Sequence, residues 1–103
     1  MGLQKLMDTL RDKREEVRNE LLRFIKHLTR RNEEICKYIA FQDGFEILID
    51  ILKKEEGVIA RDCLLIIYNM ISNSVLTLKL FSQGIHSFAI PLLLLITSRS
   101  PYA

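Results

Sequence analysis

The chain has no tryptophan and little glycine, proline or cysteine, with four, two and two residues among 103. Few glycines and prolines, and no run of strictly alternating polar and apolar residues, exclude a turn-rich β fold. Cys36 and Cys63 form no CxxC pair and have no histidine at metal-ligand spacing, which excludes a disulfide framework and a zinc site. The two thiols are therefore expected to be small core residues in a reducing compartment.

Acidic residues are missing after Asp62, and only Lys79 and Arg99 carry a formal charge beyond it. The uncharged part contains an unbroken apolar run at residues 88–96. A bilayer-spanning helix needs about 20 apolar residues, so this run predicts a covered helix instead. The N-terminal residues lack the apolar core of a secretion signal, and we expect a cytoplasmic protein.

Apolar residues recur at intervals of three and four along the whole chain, which predicts helices throughout. Arg30 and Arg31 fall in the last turn of the second helix, where cations are favourable. Asn32 is placed to cap the third helix, and Asn73 with Ser74 the sixth. We predict about seven helices, at residues 3–12, 14–30, 33–41, 44–54, 58–72, 75–82 and 85–96.

The sequence repeats itself at a shift of about 40 to 42 residues. A shift of 42 aligns Leu6 with Leu48, Asp8 with Asp50, Leu22 with Leu64, and Ile25 with Ile67. This period, built of short, middle and long helices, is typical of armadillo and HEAT repeats. We predict an all-α, armadillo/HEAT-like right-handed solenoid fragment, a single domain at 1–103. Its repeats are 1–31, 32–73 and 74–98, partial at both ends, with a short tail at 99–103.

Several motifs go beyond generic repeat spacing. They are VRNE at 17–20, LTRRN at 28–32, YIAFQDGFE at 38–46 and DCLLIIYN at 62–69. Over about residues 3–92, the sequence resembles the armadillo-like globular head of the Uso-type general vesicular transport factor. Two segments depart from the family's pattern: a glycine-rich loop is reduced to residues 55–57, and an asparagine-rich turn becomes residues 73–78.

The resemblance implies a non-enzymatic scaffold that helps transport vesicles dock between the endoplasmic reticulum and the Golgi. It implies a cytoplasmic location, peripheral to Golgi or transport-vesicle membranes. The implied partners are Rab-type GTPases, tethering complexes and membrane-fusion machinery. The alternative is a generic armadillo/HEAT adaptor that binds a peptide or cargo protein in its groove.

The candidate protein-binding residues lie on the two long helices. Arg23, Lys26, Arg30 and Arg31 fall on or near one side of the second helix, and His27 occupies the position that corresponds to Asn69 in the preceding repeat. Asn69 occupies the position at which armadillo proteins place a peptide-binding asparagine, one turn after a tryptophan, but residue 65 is leucine. We therefore expect Asn69 to be exposed or bonded to its own helix.

The sequence contains no motif typical of catalysis, metal binding or nucleotide binding. The chain has no glycine-rich phosphate loop, no paired-histidine metal motif and no GxSxG elbow, so we predict no enzyme and no cofactor. Carboxylates alternate with the basic residues before position 23, and few aromatic residues are present to stack on bases. The sequence therefore predicts no nucleic-acid binding, and leaves an anionic protein or lipid surface as a lesser alternative.

The last predicted helix has no polar face. We predict that the chain self-associates through Phe88, Leu92 and Leu95 and forms a homo-oligomer, because uncovered apolar faces of a solenoid are adhesive.

Overall fold

The computed structural model describes residues 3–11 and 14–83. Six helices account for nearly all of them, namely α1 (Leu3–Leu10), α2 (Glu15–Leu28), α3 (Glu33–Phe41), α4 (Gly44–Lys54), α5 (Gly57–Asn73) and α6 (Val75–Gln83). This part of the chain contains no strand, and the all-α, solenoid-like prediction is confirmed. The predicted helix at 85–96 lies outside the described residues. The repeat boundaries and the handedness stay predictions.

The long helix α5 lies at the centre of the packing. Its main contacts are with α2 and α4, and it also packs against α3 and α6. Its inward residues Cys63, Ile66 and Met70 are fully buried. Because a helix repeats its apolar residues every three or four positions, one side of α5 can face several neighbours at once. The core is therefore continuous from α1 to α5.

The corner between α3 and α4 depends on two special residues. Asp43 has a left-handed backbone with φ of 62°, a conformation that Asp and Asn tolerate better than most residues. A Cβ atom on Gly44 would lie 2.5 Å from the Ile39 carbonyl oxygen. Only glycine allows this close approach of α4 to the end of α3.

Side-chain caps define two other helix starts. Asn32 Oδ1 accepts a hydrogen bond from the Ile35 amide at 3.1 Å, which confirms the predicted cap of α3. Ser74 Oγ accepts one from the Thr77 amide at 3.1 Å and caps α6. The sequence pattern predicts the second cap for Asn73 and Ser74 jointly, but Asn73 is the last residue of α5 and has a different role.

No single helix in residues 3–11 and 14–83 is long and apolar enough to cross a bilayer. Taken together, α5 and α6 reach the required length and composition, but the pair is bent by 116°.

Candidate interaction groove between the long helices

Two asparagines of α5 hold the C-terminal end of α2. Asn69 Nδ2 donates hydrogen bonds to the Lys26 carbonyl and to Thr29 Oγ1, both at 3.2 Å. Asn73 Nδ2 donates to the carbonyls of Thr29 and Arg30, at 2.8 and 2.7 Å. The last carbonyls of a helix have no hydrogen-bond donors within that helix. The side-chain amides of Asn69 and Asn73 provide such donors.

The expectation for Asn69 is therefore wrong. Its side chain is neither exposed nor bonded to its own helix, but links α5 to α2 across 43 residues of sequence. The Lys26 carbonyl lies in the last turn of α2, where it accepts from the Thr29 hydroxyl at 3.3 Å and has capacity for the Asn69 amide. The carbonyls within α5 are already bonded along their own helix. Sequence reasoning assigned Asn73 only to a helix cap and missed its hydrogen bonds to the end of α2. The spacing of four between the two asparagines, which places them on one side of α5, was the available signal.

Cys36 joins the same junction from α3. Its Sγ lies 3.4 Å from the Thr29 carbonyl oxygen and 3.9 Å from that of Asn69, as a hydrogen-bond donor to both. Burial raises the pKa of the Cys36 thiol to about 11, with a smaller contribution from the negative charge of Glu33. The thiol is therefore protonated at neutral pH and serves as a small core residue, as the sequence predicted.

One ion pair crosses between the long helices. Lys26 Nζ lies 2.9 Å from Asp62 Oδ1, and the side chains are 26% and 4% exposed. A buried carboxylate is costly without a partner, so Lys26 neutralises Asp62. Lys26 is thereby committed to the fold as well as being a candidate binding residue.

An open depression of about 320 Å³ lies between α2 and α5. It is lined by Lys26, His27, Arg30, Leu65 and Asn69. We call it the α2–α5 groove. It brings together four of the five protein-binding residues predicted from the sequence. Sequence reasoning did not assign Leu65 to the site, because peptide-binding armadillo repeats have a tryptophan at this position.

Arg23, the fifth predicted residue, does not line the groove. It lies on the exposed side of α2, one turn before His27, and makes a surface ion pair of 3.8 Å with Glu20. Exposed pairs of this kind contribute little to stability. Arg23 therefore adds positive charge beside the groove without contacting its floor.

The surroundings of the groove are basic and partly apolar. No carboxylate occurs between Arg23 and Arg31 on the α2 side. On the α5 side, Leu65 and Tyr68 are 40% and 63% exposed, and Arg61 is also exposed. The groove therefore offers cations around an accessible apolar floor.

Two other sequence-based predictions concern self-association and metal binding. Phe88, Leu92 and Leu95, predicted to mediate self-association, lie outside the described residues. Among residues 3–11 and 14–83, no group of three or more His, Cys, Asp or Glu side chains is placed to hold a metal ion. The groove has basic side chains around an accessible apolar residue, which are features of a protein-binding surface.

The fold and the groove define an all-α, solenoid-like fragment with a surface suited to protein contacts. No family model matches the chain. It is 38% identical over 88 residues to the general vesicular transport factor p115 of Homo sapiens, covering 82% of this chain, and equally similar to that of Bos taurus. It is also 46% identical over 67 residues, 61% of the chain, to golgin candidate 6 of Arabidopsis thaliana.

The chain is therefore a homologue of a segment of these Uso-type transport factors, and the resemblance inferred from its motifs is confirmed. It spans 9% of the length of the two p115 proteins and 7% of golgin candidate 6.

Proposed function

We propose that this chain is a non-enzymatic protein-interaction segment of a vesicle tether, which presents the α2–α5 groove to a protein partner. Its relatives are named as vesicular transport factors and a golgin, and these names support a role in Golgi-directed vesicle tethering. The observation that carries the proposal is the groove itself, where Lys26, His27, Arg30 and Asn69 meet around Leu65.

The proposed setting is the cytoplasmic face of Golgi or transport-vesicle membranes, reached through partners rather than by direct insertion. The proposed partners are Rab-type GTPases, other tethering complexes and the membrane-fusion machinery, as the resemblance implies. All of these proposed partners are proteins, and a groove that combines exposed cations with an apolar floor is suited to contact a protein surface.

The test is recovery of these partners from Golgi-enriched extracts on immobilised chain. Arg30→Glu reverses a charge that lines the groove, and Lys53→Glu makes the same type of change at an exposed position of α4. We expect Rab-type GTPases and Golgi tethering proteins on the parent chain and on Lys53→Glu, and a loss of at least fivefold on Arg30→Glu. Equal recovery on both variants, or recovery of neither class, contradicts the proposal.

The alternative is a generic armadillo/HEAT adaptor for linear cargo peptides. The position of the groove between two long helices favours it, since extended peptides bind such grooves in repeat proteins. The bonding of Asn69 to α2 disfavours it, because this amide is not available to a peptide backbone in the usual ladder. Capture of extended cargo peptides without Golgi tethering proteins would support the adaptor.

Self-association through Phe88, Leu92 and Leu95 is a separate proposal, supported by the uncharged apolar run at 88–96. Light scattering of the parent chain and of Leu92→Glu tests it. We expect a homo-oligomer that dissociates in the variant, and a parent chain that remains monomeric at high concentration contradicts it.

A further inference from the structure

The α2–α5 groove differs from two other depressions in the exposure of the carboxylates that pair with its basic residues. In a depression of about 410 Å³ beside α4, Arg18 pairs with Glu55 at 2.8 Å and Lys54 with Asp50 at 3.4 Å. In another, along α3, Lys37 pairs with Glu34 at 3.3 Å. The cations there are matched by exposed or partly exposed carboxylates. In the α2–α5 groove, the carboxylate that pairs with Lys26 is buried.

We propose that the α2–α5 groove binds an acidic peptide segment that carries an apolar side chain. The carboxylates of the peptide face Arg30 and His27, and its apolar side chain packs on Leu65. This inference rests on the proposed function, since it names the chemical class of partner for the same groove.

The negative groups near the groove are already neutralised. Asp62 is paired with Lys26 and withdrawn from solvent. The carbonyls at the end of α2, which carry the negative end of the helix dipole, accept hydrogen bonds from Asn69 and Asn73. An incoming carboxylate therefore meets little repulsion from either source.

Lys26 is already paired with Asp62, so the positive charge offered to a partner comes from Arg30 and Arg61. Among the described residues, the Arg30 guanidinium makes no ion pair or hydrogen bond within the chain. Arg61 is exposed one turn before Leu65 and makes no ion pair in the same part of the chain. An arginine bonds a carboxylate through two parallel N–H groups, so Arg30 can hold an acidic side chain at the rim while Leu65 contacts an apolar one.

The shape favours a peptide over a nucleic acid or a membrane. Leu65 and Asn69 form part of the floor of a depression, which a single side chain can enter and a flat bilayer surface cannot. In the described part of the two long helices, α2 exposes Phe24 and α5 exposes Tyr68, and two rings do not make the series of stacking platforms that single-stranded nucleic acids need.

The test is fluorescence anisotropy with labelled seven-residue peptides and the intact chain. The probe is EEELEEE, and the controls are KKKLKKK, with opposite charge, and EEEGEEE, without the apolar side chain. We expect binding of EEELEEE that weakens with added salt, at least fivefold weaker binding of EEEGEEE, and no binding of KKKLKKK. Equal affinity for EEELEEE and KKKLKKK overturns the proposal.

Matched variants locate the binding. Arg30→Glu and Leu65→Ala are expected to weaken EEELEEE binding at least tenfold and fivefold, whereas Lys53→Glu changes it less than twofold. Circular dichroism of each variant checks that the helices are intact. Equal losses in Arg30→Glu and Lys53→Glu would show a non-specific charge effect and overturn the proposal.

Two further arms separate the sources of negative charge. Oligo-dT and phosphatidylserine vesicles are titrated with the same variants. Tighter, Arg30-dependent binding of either one than of the peptide overturns this inference. If EEELEEE fails to bind while Golgi partners are still lost on Arg30→Glu, the inference fails and the proposed function stands. Arg30-dependent peptide binding without recovery of those partners supports the acidic-peptide inference and contradicts the proposed function.

Discussion

The two long helices, α2 and α5, are related by the 42-residue shift but are covered very differently. Phe24 of α2 is 50% exposed, whereas Ile66, its counterpart in α5, is fully buried. Glu20 is exposed, and its counterpart Asp62 is buried against Lys26. The difference follows from neighbours, since α5 packs against α2, α3, α4 and α6 and α2 mainly against α1 and α5. Equivalent positions in a repeat thus acquire different roles from their surroundings.

The chemistry at the ends of the two helices differs in the same way. Asn69 and Asn73 of α5 turn towards α2 and bond its last carbonyls. Their counterparts in α2 are His27 and Arg31, which are exposed. The amides of α5 bond a neighbouring helix, whereas the corresponding side chains of α2 are exposed at the surface. The groove arises because these two sets meet.

The largest expected contrast between the helices is in their apolar residues. Ile66→Ala should reduce the free energy of unfolding by about 3 to 4 kcal/mol, because it leaves a cavity in a closed core. Phe24→Ala should cost about 1 kcal/mol, since half of that side chain is already in water. Urea unfolding followed by circular dichroism measures both. Equal losses would mean that α2 is covered as fully as α5.

The ion pairs give the next contrast. Lys26→Met should cost about 2 kcal/mol, because it leaves the Asp62 carboxylate buried without its partner, although water can reach part of the site. Arg23→Met removes the exposed partner of Glu20 and should cost less than about 1 kcal/mol. The same unfolding experiment applies. A loss in Lys26→Met no larger than in Arg23→Met would show that Asp62 finds another partner.

The sequence was sufficient for features that depend on near neighbours in the chain. Apolar periodicity placed the six described helices to within about two residues at each end, and Asn32 identified its own cap. The sequence was insufficient where a side chain forms a hydrogen bond to a different helix. Asn69 has an ordinary helical context, and only the packing of α5 on α2 shows that its amide meets the Lys26 carbonyl and the Thr29 hydroxyl. Leu65 became part of the site for the same reason.

The asparagine junction gives a smaller contrast. Asn73→Ala should cost about 1 to 2 kcal/mol, because the Arg30 carbonyl loses its amide donor and the Thr29 carbonyl keeps only the Cys36 thiol. Arg31→Ala, at the equivalent position of α2, should change stability by less than about 0.5 kcal/mol, since this side chain is exposed. Amide hydrogen exchange should also accelerate in the last turn of α2 in Asn73→Ala alone. Similar behaviour of the two variants would show that the Asn73 amide does not stabilise the end of α2.

The smallest effect concerns Cys36, which contacts the end of both long helices through the carbonyls of Thr29 and Asn69. Its pKa is raised from 9.0 to about 11 by burial, with Glu33 contributing. Because the unfolded chain loses the thiol proton first, the stabilisation is complete below pH 9 and is lost as the pH rises from 9 towards 11. From pH 8 to 9.5 the loss should be about 1 kcal/mol. Cys36→Ser, which keeps a donor but does not titrate, should lack this part of the pH dependence, whereas the contributions of lysines and tyrosines remain in both proteins. An identical pH dependence in the two would show that the thiol is no more shielded in the folded chain than in the unfolded one.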